Sequence, residues 1–501
     1  MAAIEQPAKK SYWFEKGYKD LKDTVVKAWG LNQATVKGFR AKLSLKADAG
    51  GVRKWAWRFF YWGSIVAVYV FGSIITGIVS AINFLVIVAL MFCVYIGFTV
   101  IWVIDRTYLE KNKIFTACHA CKEKSLIPAY KCPQCGTVHT KLVPGVYGIL
   151  NRKCTGDGTT TCGQKLPTSF LNGRNKLEAI CANCGTPLSD RETRPIAIPI
   201  VGGRSAGKTA FITSAAVKFI EDEAPGCGLE IEMYNDEKTI IYNRMKEAYR
   251  KGDTENTLTS NSSGNMSGIS SVSLSFFTKH RLLKPDRLLH IYDISGEFFT
   301  NNEEQEVQKQ YEYCHGLVLI VDPLAIQSIF DRFESTLSEI DKTRRGDADI
   351  TVIVDTFINK IRDVTGLSDT KMNSTPLAVV ITKIDAIPEI DRQLSFAAAE
   401  ALQKTDVEKF KTVYDAQDYL CRQFFLKNDM RHFLTTINLH FKNNRFFSCS
   451  PIGHSAGEGE FQPKGVLPIM EWLLKNADSK LGELCKKNQF SKEPPGFKEV
   501  R

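Results

Sequence analysis

The chain has 501 residues, of which 44% are hydrophobic and 24% charged, so it allows two or three domains with ordinary globular cores. Residues 1–58 hold 13 Lys and Arg against 5 Asp and Glu, and therefore supply +8 of the net charge of +10. A nucleic-acid-binding protein more often carries such a surplus on its folded domains. The distribution argues against nucleic acid as a partner and favours contact between this segment and membrane lipid.

Eight of the fourteen cysteines fall into clusters of the kind that bind metal. The other six, which follow no disulfide framework, are Cys93, Cys227, Cys314, Cys421, Cys449 and Cys485. This usage predicts a reducing compartment. The first apolar run begins near residue 59, so we expect no cleavable signal peptide.

Residues 59–104 contain no Asp, Glu, Lys, Arg or His. About 20 helical residues cross a bilayer, so this run predicts two transmembrane helices in a hairpin. The turn is predicted where small and polar residues cluster, at Gly77, Ser80, Ala81 and Asn83. Basic flanks predict a multi-pass protein of the inner (cytoplasmic) membrane, with both termini in the cytoplasm. The alternatives are a buried hairpin in a soluble core and, for residues 1–58, a solvated arm instead of an amphipathic juxtamembrane segment.

Two cysteine clusters predict two zinc-ribbon-like modules within residues 115–190. The first cluster has two CxxC pairs with a short spacer, and its members are Cys118, Cys121, Cys132 and Cys135. The second is less regular, with Cys154, Cys162, Cys181 and Cys184. Each set offers four thiolates to one tetrahedral Zn²⁺ and no open position, which is typical of structural zinc. We expect a rigid spacer or a protein-docking module, with an empty or disulfide-closed state as the alternative.

A phosphate-binding loop follows the apolar strand predicted at 195–201. Its residues are Gly202, Gly203, Arg204, Ser205, Ala206, Gly207, Lys208 and Thr209, and a helix is predicted over 210–220. Strand, GxxxxGK[ST] and helix form the context in which this motif binds nucleotide. Backbone N–H groups would bind the phosphates, Lys208 would reach the β- and γ-phosphates, and Thr209 would ligate Mg²⁺.

Three further segments occur in the order that a GTPase sheet requires. The strand predicted at 288–292 runs into Asp293, which could hold Mg²⁺ through water, and Gly296, which could contact the γ-phosphate. The strand predicted at 377–381 leads to Thr382, Lys383 and Asp385.

Asp385 can accept two N–H bonds from a guanine edge, and adenine cannot make this contact. The stem of Lys383 can lie over the base. The last predicted strand, 446–450, ends at Ser450 and leads to Pro451 and Gly453, where a backbone N–H could meet the guanine oxygen.

Together, GGRSAGKT, DISGE, TKID and SPIG resemble the translation-factor-related class of P-loop GTPases, and most closely the bacterial double-GTPase group. Members of this group are linked to conflict or defence loci and are often fused to membrane helices and zinc ribbons. The resemblance implies GTP and Mg²⁺ as ligands and a partner GTPase or self-association. The residues it assigns to GTP and Mg²⁺ are Gly202, Gly207, Lys208, Thr209, Asp293, Gly296, Lys383 and Asp385.

Two departures from that pattern bear on catalysis. Glu297 stands where many small GTPases have a water-orienting Gln, and Arg204 stands where they often have Gly. The switch threonine is expected between 250 and 275, and Thr257 is our choice, with Thr259 as the other candidate.

The fold predicted for residues 195–480 is an α/β P-loop GTPase domain, with a mainly parallel sheet between two layers of helices. One antiparallel pair is expected around 251–290, one helical stretch over 396–416, and a polar tail over 481–501. The predicted function is a membrane-anchored, GTP-hydrolysing switch. The alternatives are a non-hydrolysing nucleotide-binding scaffold that recruits partners through the zinc ribbons, and a P-loop ATPase.

Overall fold

The structure of the chain is a computed structural model. It describes residues 7–46, 51–118, 124–156, 162–188, 193–252, 273–293, 314–337, 342, 345–346, 350–365, 374–454, 459–492 and 494–495. The chain divides into two compact units. The first consists of Met1–Cys118 and Ser125–Glu192, and the second of His119–Lys124 and Thr193–Arg501.

Two long helices begin the first unit. Helix α1 is Lys16–Leu45. Helix α2, Val52–Ala67, continues through a π-helical turn, Val68–Gly72, into α3, Ser73–Lys111. Together α2 and α3 form one helix of 60 residues, and it alone among the described residues is long and apolar enough to cross a membrane.

The predicted hairpin turn is wrong, because residues 73–111 form uninterrupted α-helix. Two of the four residues predicted for the turn, Ser80 and Asn83, contact α1 instead. Asn32 Nδ2 donates to Thr76 Oγ1 at 2.7 Å, and Trp29 Nε1 donates to Ser80 Oγ at 3.1 Å. Polar side chains in an apolar helix can hydrogen-bond to a neighbouring helix, so the same residue types are compatible with a helix–helix contact and with a turn.

Short strands form the rest of the first unit. They are β1 Thr116–Ala117, β2 Lys124–Ser125, β3 Ala129–Lys131, β4 Val138–His139, β5 Asn151–Lys153, β6 Lys165–Pro167, β7 Ala179–Ile180 and β8 Pro187–Leu188. A four-stranded sheet has the order β4-β3-β7-β8, and β5 pairs with β6. The end of α3 is fixed to this region by a buried ion pair, in which Arg174 NH1 lies 2.9 Å from Asp105 Oδ2.

A seven-stranded sheet forms the centre of the second unit. Its strands are β9 Arg194–Gly202, β10 Glu230–Met233, β11 Ser273–His280, β12 Leu283–Asp293, β13 Leu317–Val321, β14 Leu377–Ile381 and β15 Asn444–Ser448. The spatial order is β10-β11-β12-β9-β13-β14-β15. The pairs from β12 to β15 are parallel. The expected antiparallel pair is β11–β12, and β10 extends it.

Helices cover both faces of this sheet, which gives the three layers predicted. They are α4 Lys208–Lys218, α5 Ala224–Gly226, α6 Asp236–Lys251, α7 Gln327–Phe333, α8 Ile350–Thr365, α9 Pro388–Leu394, α10 Phe396–Thr405, α11 Val413–Lys427, α12 Arg431–His440, α13 Leu467–Ala477 and α14 Ser479–Leu484. Along β9, Ile196, Ile198 and Ile200 belong to the core beneath α4, α6 and α13. Ala197 and Val201 belong to the core beneath α8, α11 and α12.

Two predicted segments differ from the structure. The helical stretch over 396–416 is two helices, because Thr412 and Asp415 form a capping box that starts α11. The tail predicted from residue 481 packs on the domain as far as Ser491. The Glu471 carboxylate accepts from the backbone N–H of Lys487 at 2.8 Å, and Ser491 Oγ donates to Asp415.

Candidate functional site

The carboxyl ends of four parallel strands bring the predicted nucleotide motifs to one edge of the sheet. Strands β9 and β12 are paired so that Asp293 lies opposite Ile200. Strands β13 and β14 are paired so that Val321 lies opposite Ile381, directly before Thr382. Ligands of open α/β sheets bind at this edge. The motifs therefore meet where an α/β domain places its site.

The phosphate-binding loop leaves β9 at Gly202 and enters α4 at Lys208. Gly207 has φ 90° and Ser205 has φ 58°, so the loop uses left-handed backbone at two positions. A Cβ on Gly202 would lie 2.7 Å from the carbonyl oxygen of Ile320, which only glycine avoids. The loop therefore turns tightly onto the start of a helix, where backbone N–H groups attract an anion.

Lys208 is buried at the centre of this loop. Its ammonium donates to the carbonyl oxygens of Gly202 at 3.1 Å and Gly203 at 2.8 Å. It also lies 3.9 Å from Asp293 Oδ1. Burial lowers the pKa of Lys208, and the charge of Asp293 acts in the opposite direction. The ammonium has a third N–H group, which could donate a hydrogen bond to a phosphate oxygen.

The base-recognition motif contacts the phosphate-binding loop directly. The Thr382 hydroxyl donates to the carbonyl oxygen of Ala206 at 2.8 Å. Lys383 Nζ donates to the carbonyl oxygen of Ser205 at 2.7 Å, and Lys383 has left-handed backbone with φ 51°. A nucleotide held by its phosphates in the loop therefore has the Lys383 stem beside it.

Asp385 is half-buried. Burial raises its pKa, and a hydrogen bond from Ser450 lowers it. The Ser450 hydroxyl also accepts from the backbone N–H of Gly453 at 2.9 Å. Ser214 of α4 donates to the carbonyl oxygen of Pro451 at 2.6 Å. The loop after β15 is therefore fixed both to Asp385 and to the helix that follows the phosphate-binding loop.

The remaining predicted residues fall into two groups. Thr209 is half-buried at the start of α4, and Arg204 is exposed on the phosphate-binding loop. Thr257, Gly296, Glu297 and Cys121 lie outside the described residues. The catalytic predictions for the first three of these four residues stay predictions.

One residue of this edge was missed by the sequence analysis. Asp322 follows β13 directly, and its side chain is buried. Its carboxylate accepts from Lys383 Nζ at 2.7 Å, from the backbone N–H of Leu324 at 2.9 Å and from that of Gly346 at 3.3 Å. A carboxylate at the end of a buried parallel strand was the available signal, since β13 neighbours the strand that carries TKID.

The cysteines form two clusters, but the predicted grouping is wrong. One cluster combines Cys132 and Cys135 with Cys154 and Cys162, and the other combines Cys118 with Cys181 and Cys184. Strands β3 and β7 are antiparallel, so the turns that follow them lie at opposite ends of the pair. The CxxC pair on each turn therefore shares its cluster with cysteines from another segment of the chain.

The two turns have the same geometry, and both suit a zinc ion. The sequences CPQCGT and CANCGT each place a glycine in left-handed backbone, Gly136 and Gly185. Neighbouring Sγ atoms are 3.6 Å apart between Cys135 and Cys154 and 3.8 Å apart between Cys132 and Cys162. Four thiolates at about 2.3 Å from one Zn²⁺ would have similar spacings. Thiolates this close repel one another, so a divalent cation would allow all four to ionise.

The family comparison concerns the nucleotide domain. Residues 196–419 match the model of a family described as Double-GTPase 2. The comparison with curated proteins finds no match. The matched residues include the phosphate-binding loop, Asp293 and TKID, whereas Ser450 and the cysteine clusters lie outside them. The match supports the resemblance between the nucleotide domain and the double-GTPase group, which the motifs of the domain predicted.

Proposed function

We propose that the chain is a membrane-anchored molecular switch that binds and hydrolyses GTP. The proposal rests on the contact between the phosphate-binding loop and the TKID segment. Thr382 and Lys383 both donate to carbonyl oxygens of the phosphate-binding loop, and Asp385 stands two residues further on. A base beside Lys383 would meet the Asp385 carboxylate, which accepts two N–H groups from guanine.

The same edge supports Mg²⁺-dependent phosphate chemistry. Thr209 lies in the first turn of α4, and Asp293 is the last residue of β12, with its Oδ1 atom 3.9 Å from Lys208 Nζ. A hydroxyl and a carboxylate in these positions would hold Mg²⁺ against the β- and γ-phosphates, where the ion neutralises developing charge. Hydrolysis also requires an oriented water, and Glu297 is the residue that the sequence offers for it.

GTP binding by the full-length chain tests this proposal. With Mg²⁺, we expect GTP and GDP to bind and ATP to bind at least about a hundredfold more weakly, because adenine leaves the half-buried Asp385 carboxylate unpaired. Lys208→Ala should weaken GTP binding by about a hundredfold or more, since a charged hydrogen-bond donor to phosphate is lost. Calorimetric titration and phosphate release measure both effects.

Lys218→Ala is the matched control, because Lys218 lies at the opposite end of α4 from the phosphate-binding loop, where its ammonium pairs with Asp222. It should bind GTP as the unaltered chain does. ATP binding as tight as GTP binding would contradict the guanine site. GTP binding without phosphate release would leave the switch proposal wrong and favour a non-hydrolysing scaffold.

Membrane anchoring is proposed from the 60-residue helix. At about 1.5 Å per residue it is about 90 Å long, and none of its most apolar stretch is buried within the protein. Helix α1, which packs along it, carries seven Lys and Arg. Charged side chains are costly in the hydrocarbon core of a bilayer. If the long helix spans a membrane, α1 must therefore separate from the part of that helix that lipid surrounds.

A pair of lysines in the long helix tests the anchor. Leu85→Lys together with Phe92→Lys should release the chain from the membrane fraction, since each charge in hydrocarbon costs about 3 kcal/mol. The unaltered chain should resist extraction by salt and alkaline carbonate. Val26→Lys with Leu31→Lys adds the same charge to exposed positions of α1 and should leave the chain in the membrane. Retention of the first variant would contradict the anchor.

The two cysteine clusters are proposed as structural zinc sites, and Cys121, which shares a CxxC pair with Cys118, is proposed as the fourth ligand beside Cys118, Cys181 and Cys184. Strands of two or three residues bury little apolar surface, so the ions would supply much of the folding free energy of this region.

The proposal also includes a protein partner. A switch of the double-GTPase group would act beside a second GTPase or a second copy of itself.

A further inference from the structure

The Asp322 carboxylate joins three loops of the nucleotide edge. It follows β13 and accepts from Lys383, which follows β14. It also accepts from the backbone N–H of Gly346. Through Lys383, which donates to Ser205, the carboxylate is connected to the phosphate-binding loop. Its side chain is fully buried, while that of Lys383 is 24% exposed, so the ion pair points from the interior toward the site.

We propose that Asp322 is a positioning residue for the nucleotide base. It fixes the Lys383 side chain against the phosphate-binding loop, where the stem of Lys383 would contact the base. The inference rests on the proposed GTP site. A lysine side chain that is free to rotate loses rotamer entropy when it packs on a base. Two acceptors, the Asp322 carboxylate and the Ser205 carbonyl oxygen, hold the Lys383 ammonium at both sides. The stem is therefore ordered before the base arrives, which is preorganisation in the ordinary thermodynamic sense.

The alternative role for Asp322 is structural only, because the same carboxylate starts the 3₁₀ turn Pro323–Ala325. Two features distinguish the roles. A structural residue would affect folding stability alone, whereas a positioning residue also changes nucleotide affinity through Lys383. The contact lies on the base side of the loop, so both GDP and GTP should be affected equally. Turnover of bound GTP should be unchanged.

The chain contains a matched control at the opposite end of the same sheet. Asp478 is also a buried carboxylate that caps a helix, and it pairs with two cations, Arg287 and Arg194. It accepts from Arg287 Nε at 2.7 Å and from the backbone N–H groups of Lys480 and Leu481 at 3.0 and 3.1 Å. Arg287 of β12 lies opposite Arg194, the first residue of β9. This is the end of the sheet away from the phosphate-binding loop. Asp478→Asn therefore removes an equivalent charge without touching the site.

The experiment measures GDP and GTP affinity, the KM and kcat of GTP hydrolysis, and thermal stability for Asp322→Asn, Asp478→Asn, Lys383→Met and Asp322→Asn with Lys383→Met. We expect Asp322→Asn to weaken both nucleotides about tenfold, as for loss of one charged hydrogen bond, and to raise KM without lowering kcat. The double variant should bind no more weakly than Lys383→Met alone, because Asp322 acts through Lys383. Asp478→Asn should lower stability but leave affinity unchanged.

Several results would overturn the inference. These are an Asp322→Asn variant that binds normally, a double variant whose losses add, or an equal loss of affinity in Asp478→Asn. If Asp322→Asn does not fold, Asp322→Glu keeps the charge and displaces it, and unchanged affinity in that variant would be equally decisive against the inference. If the unaltered chain binds no guanine nucleotide, the proposed function fails first, and Asp322 has no base to position.

Discussion

Asp385→Asn is expected to change the base that the protein binds. The carboxylate accepts two N–H groups from guanine, and an amide presents one donor and one acceptor in their place. Xanthine offers an oxygen where guanine has its amino group, so the amide pairs with it. We expect GTP affinity to fall by about a thousandfold and the affinity for xanthosine triphosphate to rise above it, on the scale at which hydrogen-bonded sites reject a mismatched ligand.

Competition between the two nucleotides, measured by calorimetry on the full-length chain, checks this expectation. Glu389→Gln is the matched control, because Glu389 is an exposed carboxylate four residues further along the chain. It should retain the preference for GTP. An Asp385→Asn variant that still prefers GTP would show that Asp385 does not contact the base, even though the hydrogen bond from Ser450 holds it beside the site.

The nucleotide site was largely predictable because its motifs occupy single loops at strand ends. A strand, a glycine-rich turn and a helix start can be recognised locally, and the parallel sheet brings the loops together without further information. Asp322 was missed because its role depends on a neighbour that is not adjacent in the sequence. Its contact with Lys383 becomes visible only once β13 and β14 are known to pair.

The long helix illustrates a different limit. Glycine, serine and asparagine in an apolar run are compatible with a turn and with a helix–helix seam, and local sequence does not separate the two. In the structure, Ser80 accepts a hydrogen bond from Trp29 of α1, and Asn83 donates to the backbone of Leu21 in the same helix. The polar residues that predicted a hairpin turn therefore take part in a helix–helix contact instead.

The cysteine grouping failed for a topological reason. Proximity in sequence suggested that Cys118 and Cys132 share an ion, whereas the antiparallel pairing of β3 with β7 separates them. The ligand sets are interleaved along the chain, and nothing in the spacing of CxxC pairs encodes the order in which the pairs combine. This difference between the two groupings can be measured directly as metal content.

Zinc content should follow the interleaved grouping. We expect two zinc ions per chain, and one after Cys181→Ser, because a site that loses a thiolate ligand binds zinc far more weakly. Adding Cys118→Ser to Cys181→Ser should remove no further zinc, since both cysteines belong to one cluster. Adding Cys154→Ser instead should remove the second ion. Grouping in sequence order makes the opposite prediction for both double variants.

Metal analysis of the purified full-length variants gives the stoichiometry, and Cys93→Ser is the control, because Cys93 is exposed and belongs to neither cluster. Structural zinc contributes on the order of 10 kcal/mol to small metal domains, so complete removal by a chelator should unfold residues 115–190 and expose their cysteines to alkylation. The nucleotide domain has its own cores on both faces of its sheet and should keep its affinity for GTP. Loss of GTP binding on chelation would show instead that the zinc ions support the nucleotide site.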